Sequence, residues 1–148
     1  MRAIVFRVNG IPPTKDSGKS LWNQIEKVKE LARASKIAME GQEIFKSRIE
    51  LIVRLFTKRD KKTGDATNFI GGIADVLQGW GCSITKPKDK PTDMEIRKNY
   101  KGHIVYENDN QIIKLSYVEY PLLEGECPHY FVMVVEIGGT KFNDRRKK

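Results

Sequence analysis

Cysteine and histidine are scarce, at two residues each in a chain of 148. Cys82 and Cys127 lie far apart and outside any CxxC spacing, which excludes a cysteine-based zinc site. They read as free thiols of a reducing, cytoplasmic compartment. No apolar run reaches the roughly 18 residues that a membrane helix needs. The opening MRAIVFRVNGIPP has too short an apolar segment for a signal peptide and no small-residue cleavage site. Neither a secreted nor a membrane-spanning protein is therefore expected. Internal repeats and low-complexity segments are also missing. What is present is 39% hydrophobic and 31% charged residues, the balance of a folded chain. The length fits one domain, residues 1–148, able to bury a core without disulfides or a structural metal.

Acidic charge is outnumbered. Lys and Arg total 27 against 19 Asp and Glu, a formal net charge of +8. Such an excess points to a polyanionic partner, of which nucleic acid is the commonest. It is clustered at Lys58, Arg59, Lys61 and Lys62, at Lys86, Lys88 and Lys90, at Arg97, Lys98 and Lys101, and in a basic tail over 141–148 ending Arg145–Lys148. A solubilising surface is the plain alternative.

Hydrophobic patterning predicts β-α-β-α-β-β. Residues 3–8 are β-branched and aromatic, a strand ended by Gly10, Pro12 and Pro13. After a polar loop over 14–20, a helix starts near Leu21. It continues through Ile25, Val28, Leu31 or Ala32, and Ile37 or Ala38, and stops near Gly41. Residues 49–56 alternate with apolar groups on both faces, which predicts an interior strand. Phe69, Ile73, Val76, Leu77 and Trp80 predict a second helix over 68–80, capped by Thr67 or Asn68. A polar, basic stretch over 82–103 reads as an insertion loop, and 104–106 as a short extended segment. Strands over 111–119 and 130–137 are expected to pair as a long-looped hairpin. The fold class is α/β (α+β), a mixed sheet with helices packed against it.

Within this basic chain, three acids hold special positions. Asp65 stands at the mouth of the second helix, and Asp109 lies in a polar run before a strand. With Asp75 at zero on a helical wheel, Asn68 falls at about 20° and the apolar stripe at roughly 100° to 200°, so Asp75 faces away from the core. Gly71 and Gly72, at about −40° and 60°, each cost roughly 0.8–1.0 kcal/mol relative to alanine inside a helix. Something therefore approaches that face closely: another helix, a dimer partner or a nucleic-acid strand. Carboxylates among basic clusters suit hard-cation chemistry on phosphodiesters. Asp oxygens hold Mg²⁺ or Mn²⁺, while Lys and Arg hold the flanking phosphates.

These motifs resemble the RusA-type Holliday junction resolvase family. The resemblance rests on Pro12-Pro13 before a long helix and on Gly64-Asp65-x-x-Asn68 after a basic turn. It continues with Asp75-x-Leu77 in the helix, Asp109-x-Gln111-Ile112, and a closing hairpin. It implies a homodimeric, Mg²⁺-dependent endonuclease that nicks four-way DNA junctions in pairs, in recombination and repair. Asp65, Asp75 and Asp109 would be the catalytic and metal-holding acids. Lys58, Arg59, Lys61, Lys62, Lys86 and Lys88 would contact DNA. The chain departs from the family pattern at Thr67, where an acid is expected, at Gly71, where a lysine is expected, and at Asn108-Asp109, where two acids are expected. Lys86, Lys88 or Lys90 would then have to replace the missing cation. A non-catalytic nucleic-acid-binding module on the same fold is the alternative function, and an adaptor with incidental basic patches a third.

The remaining candidates read as structural. His103 and His129 lack ligand spacing, and Trp22 and Trp80 fall on apolar stripes. Tyr100 and Tyr106 adjoin basic residues but suit ordinary packing better than base stacking. Gly18-Lys19-Ser20 lacks the upstream glycine of a phosphate loop, since position 13 is proline.

Overall fold

The computed structural model describes residues 2–15, 24–58, 66–79 and 102–141. Its elements are β1 (Ala3–Asn9), α1 (Ile25–Ala38), β2 (Ser47–Phe56), α2 (Ala66–Gln78), β3 (Ile112–Tyr120) and β4 (His129–Lys141), with a 3-10 turn over Asp109–Gln111 just before β3. Together they form a mixed four-stranded sheet in the order β1-β4-β2-β3, with two helices on one face.

Strict alternation in the strands dictates the layering. In β1 the inward residues are Ile4, Phe6 and Val8; in β2 they are Ile49, Leu51, Val53 and Leu55; in β4 they are Tyr130, Val132 and Val134. The register lines these up in rows: Ile4–Val134–Leu51, Phe6–Val132–Val53 and Val8–Tyr130–Leu55. A slip of one residue would turn a whole row out to solvent, so the pairing is strongly specified. Each such side chain contributes roughly 1.5–3 kcal/mol on burial. Val28, Leu31 and Ala32 of α1 and Phe69, Ile73, Val76 and Leu77 of α2 close the core from one side. At the end of α1, Ala38 packs against the core while Ile37 is 64% exposed, which settles the two sequence alternatives in favour of Ala38.

As the patterning predicts, β2 is interior, between β4 and β3. The expected closing hairpin is not formed. β3 runs parallel to β2 on its outer side, whereas β4 lies on the other side of β2 and pairs antiparallel with both β1 and β2. The cause is polarity. β4 carries Tyr130, Val132 and Val134 and takes a central position, while β3 carries Lys114, Ser116 and Glu119 and takes an edge. The connection over 121–128 is long enough to pass the end of β2.

Residues 104–106 are buried, and Tyr106 forms an isolated parallel bridge with Phe45. The proposed insertion falls almost wholly outside the described residues, as do Trp22, Trp80, Cys82, Tyr100 and the tail beyond Lys141. No helix among the described residues is long and apolar enough to cross a membrane.

Candidate functional site

α2 is buried nearly all round, and its second face explains why. Pro13, Thr14 and Lys15, from the segment after β1, lie along it. At Gly72 a Cβ would overlap the carbonyl oxygen of Pro13. At Gly71 it would sit 3.1 Å from Lys15 Cβ. The body that approaches these glycines is thus the chain itself, not a partner or a nucleic-acid strand. The Lys15 backbone N–H donates to Asn68 O at 2.9 Å, in the first turn of α2. Thr14 is held in turn by Gln24, which precedes α1. Its Oε1 accepts from Thr14 N at 2.8 Å and from Thr14 Oγ1 at 3.0 Å, and its Nε2 donates to Thr14 O at 2.9 Å.

Asp75 lies beneath this segment. Its side chain is 10% exposed, and Lys15 Nζ stands 3.3 Å from Oδ2 and 3.4 Å from Oδ1. Asp75 faces away from the apolar stripe, as the wheel predicts, yet it is buried because the β1–α1 segment covers that face. Burial pushes its carboxyl above the ordinary value of 3.8. The Lys15 charge and hydrogen bond oppose this, and the nearby negative charge of Asp109 adds to it. Asp109 itself is exposed, in the 3-10 turn. Tyr106 is fully buried and donates its hydroxyl to Ala74 O at 2.7 Å, fixing α2 beside Asp75. Burial, with Asp109 and Asp75 close by, raises the Tyr106 phenol well above its usual range. It is a packing residue, not a stacking platform.

Gln111, to which the sequence reading assigns no role, organises the Asp109 turn. It is buried, and its Nε2 donates to Phe45 O and Ser47 O, both at 2.9 Å. Its Oε1 accepts from the backbone N–H groups of Glu107 and Asn108 at 3.0 and 3.1 Å. Asn108 caps the turn by accepting from Asn110 N at 2.8 Å.

The fold therefore brings Asp75, Asp109 and Lys15 into one electrostatic neighbourhood. Asp65 lies outside the described residues, as do Arg59, Lys61, Lys62, Lys86, Lys88 and Lys90. Ala66, the first residue of α2, is nine residues and about 14 Å of helical rise from Asp75. Lys58 follows the C-terminal end of β2, and Asp109 precedes the N-terminal end of β3. Because these strands are parallel, Lys58 and Asp109 stand at opposite ends of the pair, roughly 25 Å apart by strand rise. Lys58 instead lines a groove of about 650 Å³ together with Glu119, Glu124 and Glu126. His129 is buried and stacks on Phe56, with centroids 4.9 Å apart, so it is neither a surface residue nor a ligand candidate. Among the described residues no group of three or more His, Cys, Asp or Glu is placed to hold a metal ion. The two acids present offer the oxygen chemistry of a hard cation, whose remaining positions water can fill.

The raised Asp75 carboxyl has a consequence for stability. Below the ordinary carboxylate value both folded and unfolded chains are protonated there, and no cost is carried. As pH rises through that value and past the raised one, the unfolded chain loses its proton first, and stability falls. Asp75→Asn is therefore expected to melt a few degrees higher than the wild type at pH 7 and together with it near pH 3. Lys15 is 58% exposed and finds water when its partner is neutralised. Thermal denaturation across pH checks this, and a variant less stable at pH 7 would refute it.

No protein-family model and no curated protein matches the chain.

Proposed function

We propose that this protein is a metal-dependent endonuclease for branched DNA, a RusA-like junction resolvase acting as a homodimer. The observation that carries the reading is a buried carboxylate, Asp75, held against a half-exposed lysine and within the field of a second acid, Asp109. A carboxylate is costly to bury, and such perturbed acids concentrate at functional sites. The basic composition supplies the partner class.

Asp75 and Asp109 would hold Mg²⁺ or Mn²⁺. A bound divalent ion supplies an activated water and neutralises charge on the phosphoryl oxygens. Asp65, which lies outside the described residues, would be the third acid of that metal-holding set. The protein's own contribution is positional. Tyr106 and the Pro13–Lys15 segment fix α2 and exclude water from the buried side of Asp75, and Gln111 fixes the turn that presents Asp109. Lys58 would grip the backbone about 25 Å away, roughly the strand rise between the two ends of the sheet.

Paired nicks need two active sites, which a two-fold dimer provides. Among the described residues no helix packs on the other sheet face, which is apolar at Val5, Ile52, Phe56, Phe131 and Met133 and would be the surface that meets a second copy. The alternative, a non-catalytic nucleic-acid-binding module, is favoured by Lys15 already occupying the carboxylate of Asp75.

Incubating the protein with a labelled four-way junction and a matched duplex, in Mg²⁺, Mn²⁺ or EDTA, separates the two. Paired, metal-dependent nicks in the junction are expected, with Asp75→Asn and Asp109→Asn each losing at least 100-fold in rate, a typical effect of removing an essential electrostatic group. Tight junction binding without cleavage in any metal would establish the binding module instead.

A further inference from the structure

We propose that Lys15 is a phosphate-binding residue, whose ammonium leaves Asp75 to hold the phosphodiester of a bound nucleic-acid strand. The inference rests on the nucleic-acid reading above and adds to it a residue from the segment after β1.

The pair with Asp75 is loose. Its contacts of 3.3 and 3.4 Å exceed the 2.7–2.9 Å of a strong charge-assisted hydrogen bond. The ammonium straddles both oxygens and keeps 58% of its side chain in solvent, while the carboxylate beneath it is 10% exposed. The cation is thus the solvent-facing member of the pair and the first group an incoming phosphate would meet.

The placement is also built. Neutralising Asp75 requires no separate segment, because a lysine one turn earlier on α2, at position 71, would face it directly. Instead that position is glycine, and the Lys15 stem passes over it, with Cβ, Cγ and Cδ all within 3.1–3.7 Å of where a Cβ would stand. Gly72 admits the Pro13 carbonyl, Asn68 O accepts the Lys15 amide, and Gln24 clamps Thr14 through three hydrogen bonds. Two helix-interior glycines and a half-buried amide network hold one lysine above one acid. An incidental surface ion pair requires none of these.

Junction binding in EDTA, measured over a salt series, tests this without relying on cleavage. For one phosphate contact, the slope of log K against log salt is expected to shrink in magnitude by about 1 in Lys15→Gln. Binding near 0.1 M salt should weaken several-fold, with Lys15→Arg keeping the wild-type slope. A wild-type slope in Lys15→Gln overturns the role of Lys15 while leaving the nucleic-acid reading intact. A slope lost equally in Lys15→Arg also overturns it, since a phosphate contact tolerates either cation. Wild-type protein that shows no salt-dependent binding overturns the nucleic-acid reading and this proposal with it. Lys15→Arg is expected to melt close to the wild type, whereas Lys15→Gln leaves the buried Asp75 carboxylate without its cation and is expected to melt lower at pH 7, so binding is compared at a temperature where both variants are folded.

Discussion

Gln111→Ala is expected to destabilise the protein by about 3–5 kcal/mol, a drop of roughly 10–20 °C in melting temperature. One buried side chain makes four hydrogen bonds here, two to carbonyls at the entry of β2 and two from amides of the turn before β3. Truncation leaves all four backbone groups without that partner inside the protein. Each unsatisfied buried group costs about 1–3 kcal/mol, and entering water recovers part of the total. Gln111→Glu is expected to be no better at pH 7, since it turns an oxygen toward two carbonyl oxygens in place of a donor. Because the same side chain sets the turn that presents Asp109, junction cleavage should fall along with stability. Circular dichroism melts read the first effect directly, and a Gln111→Ala melt within about 2 °C of wild type would rule out the bracing role.

The second large effect contrasts neighbouring glycines. Gly72→Ala gains about 1 kcal/mol of helix propensity, yet its methyl group would overlap the Pro13 carbonyl. Overpacking against backbone costs about 1–3 kcal/mol and shifts the offending segment. A net loss is expected, with Lys15 lifted from Asp75 and the salt dependence of junction binding reduced as in Lys15→Gln. Gly71→Ala meets Lys15 Cβ at 3.1 Å, a contact that needs a shift of only a few tenths of an ångström rather than the displacement of a carbonyl. Its effect is expected to be clearly smaller than that of Gly72→Ala. If both substitutions behave alike, the docking of Pro13–Lys15 on α2 is not what these glycines serve.

Much of the layering was legible in advance because it depends on local periodicity. The alternation of Ile49, Leu51, Val53 and Leu55, and the stripe of Phe69, Ile73, Val76 and Leu77, specify which faces turn inward whatever the rest of the chain does. The two glycines announced a close approach, but not by what. The answer lies more than fifty residues earlier, in a segment with no periodic signal. Asp75 lies off the core stripe, as its helical position dictates, yet its burial depends on that same segment. Lys15 carries no signal for the same reason, being one lysine in a polar loop of a basic chain. Gln111 stands in the Asp109-x-Gln111-Ile112 motif, but its role depends on carbonyls of Phe45 and Ser47 brought close only by tertiary structure. The expected hairpin fails because adjacency in sequence does not impose adjacency in space. β4, with alternate core residues facing inward, competes better for the centre of the sheet than β3 does.

That central position has a consequence for the order of events during synthesis. Among the described residues β1 pairs with no strand except β4, and β2 meets β1 only through it. Until residues 129–141 have left the ribosome, β1 has no ladder to join, and one edge of β2 remains an open template of unpaired backbone groups. The pairing of Val8 with Tyr130 closes a loop spanning most of the chain, the kind of distant contact that slows folding. β2, α2 and β3 can assemble early as a parallel unit. The N-terminal strand, and with it the segment that carries Lys15 to Asp75, is locked in place last. The cation of Lys15 emerges first yet docks on its acid last, so a nascent or partly unfolded chain exposes an incomplete site, and the finished arrangement reports that the whole sheet has closed.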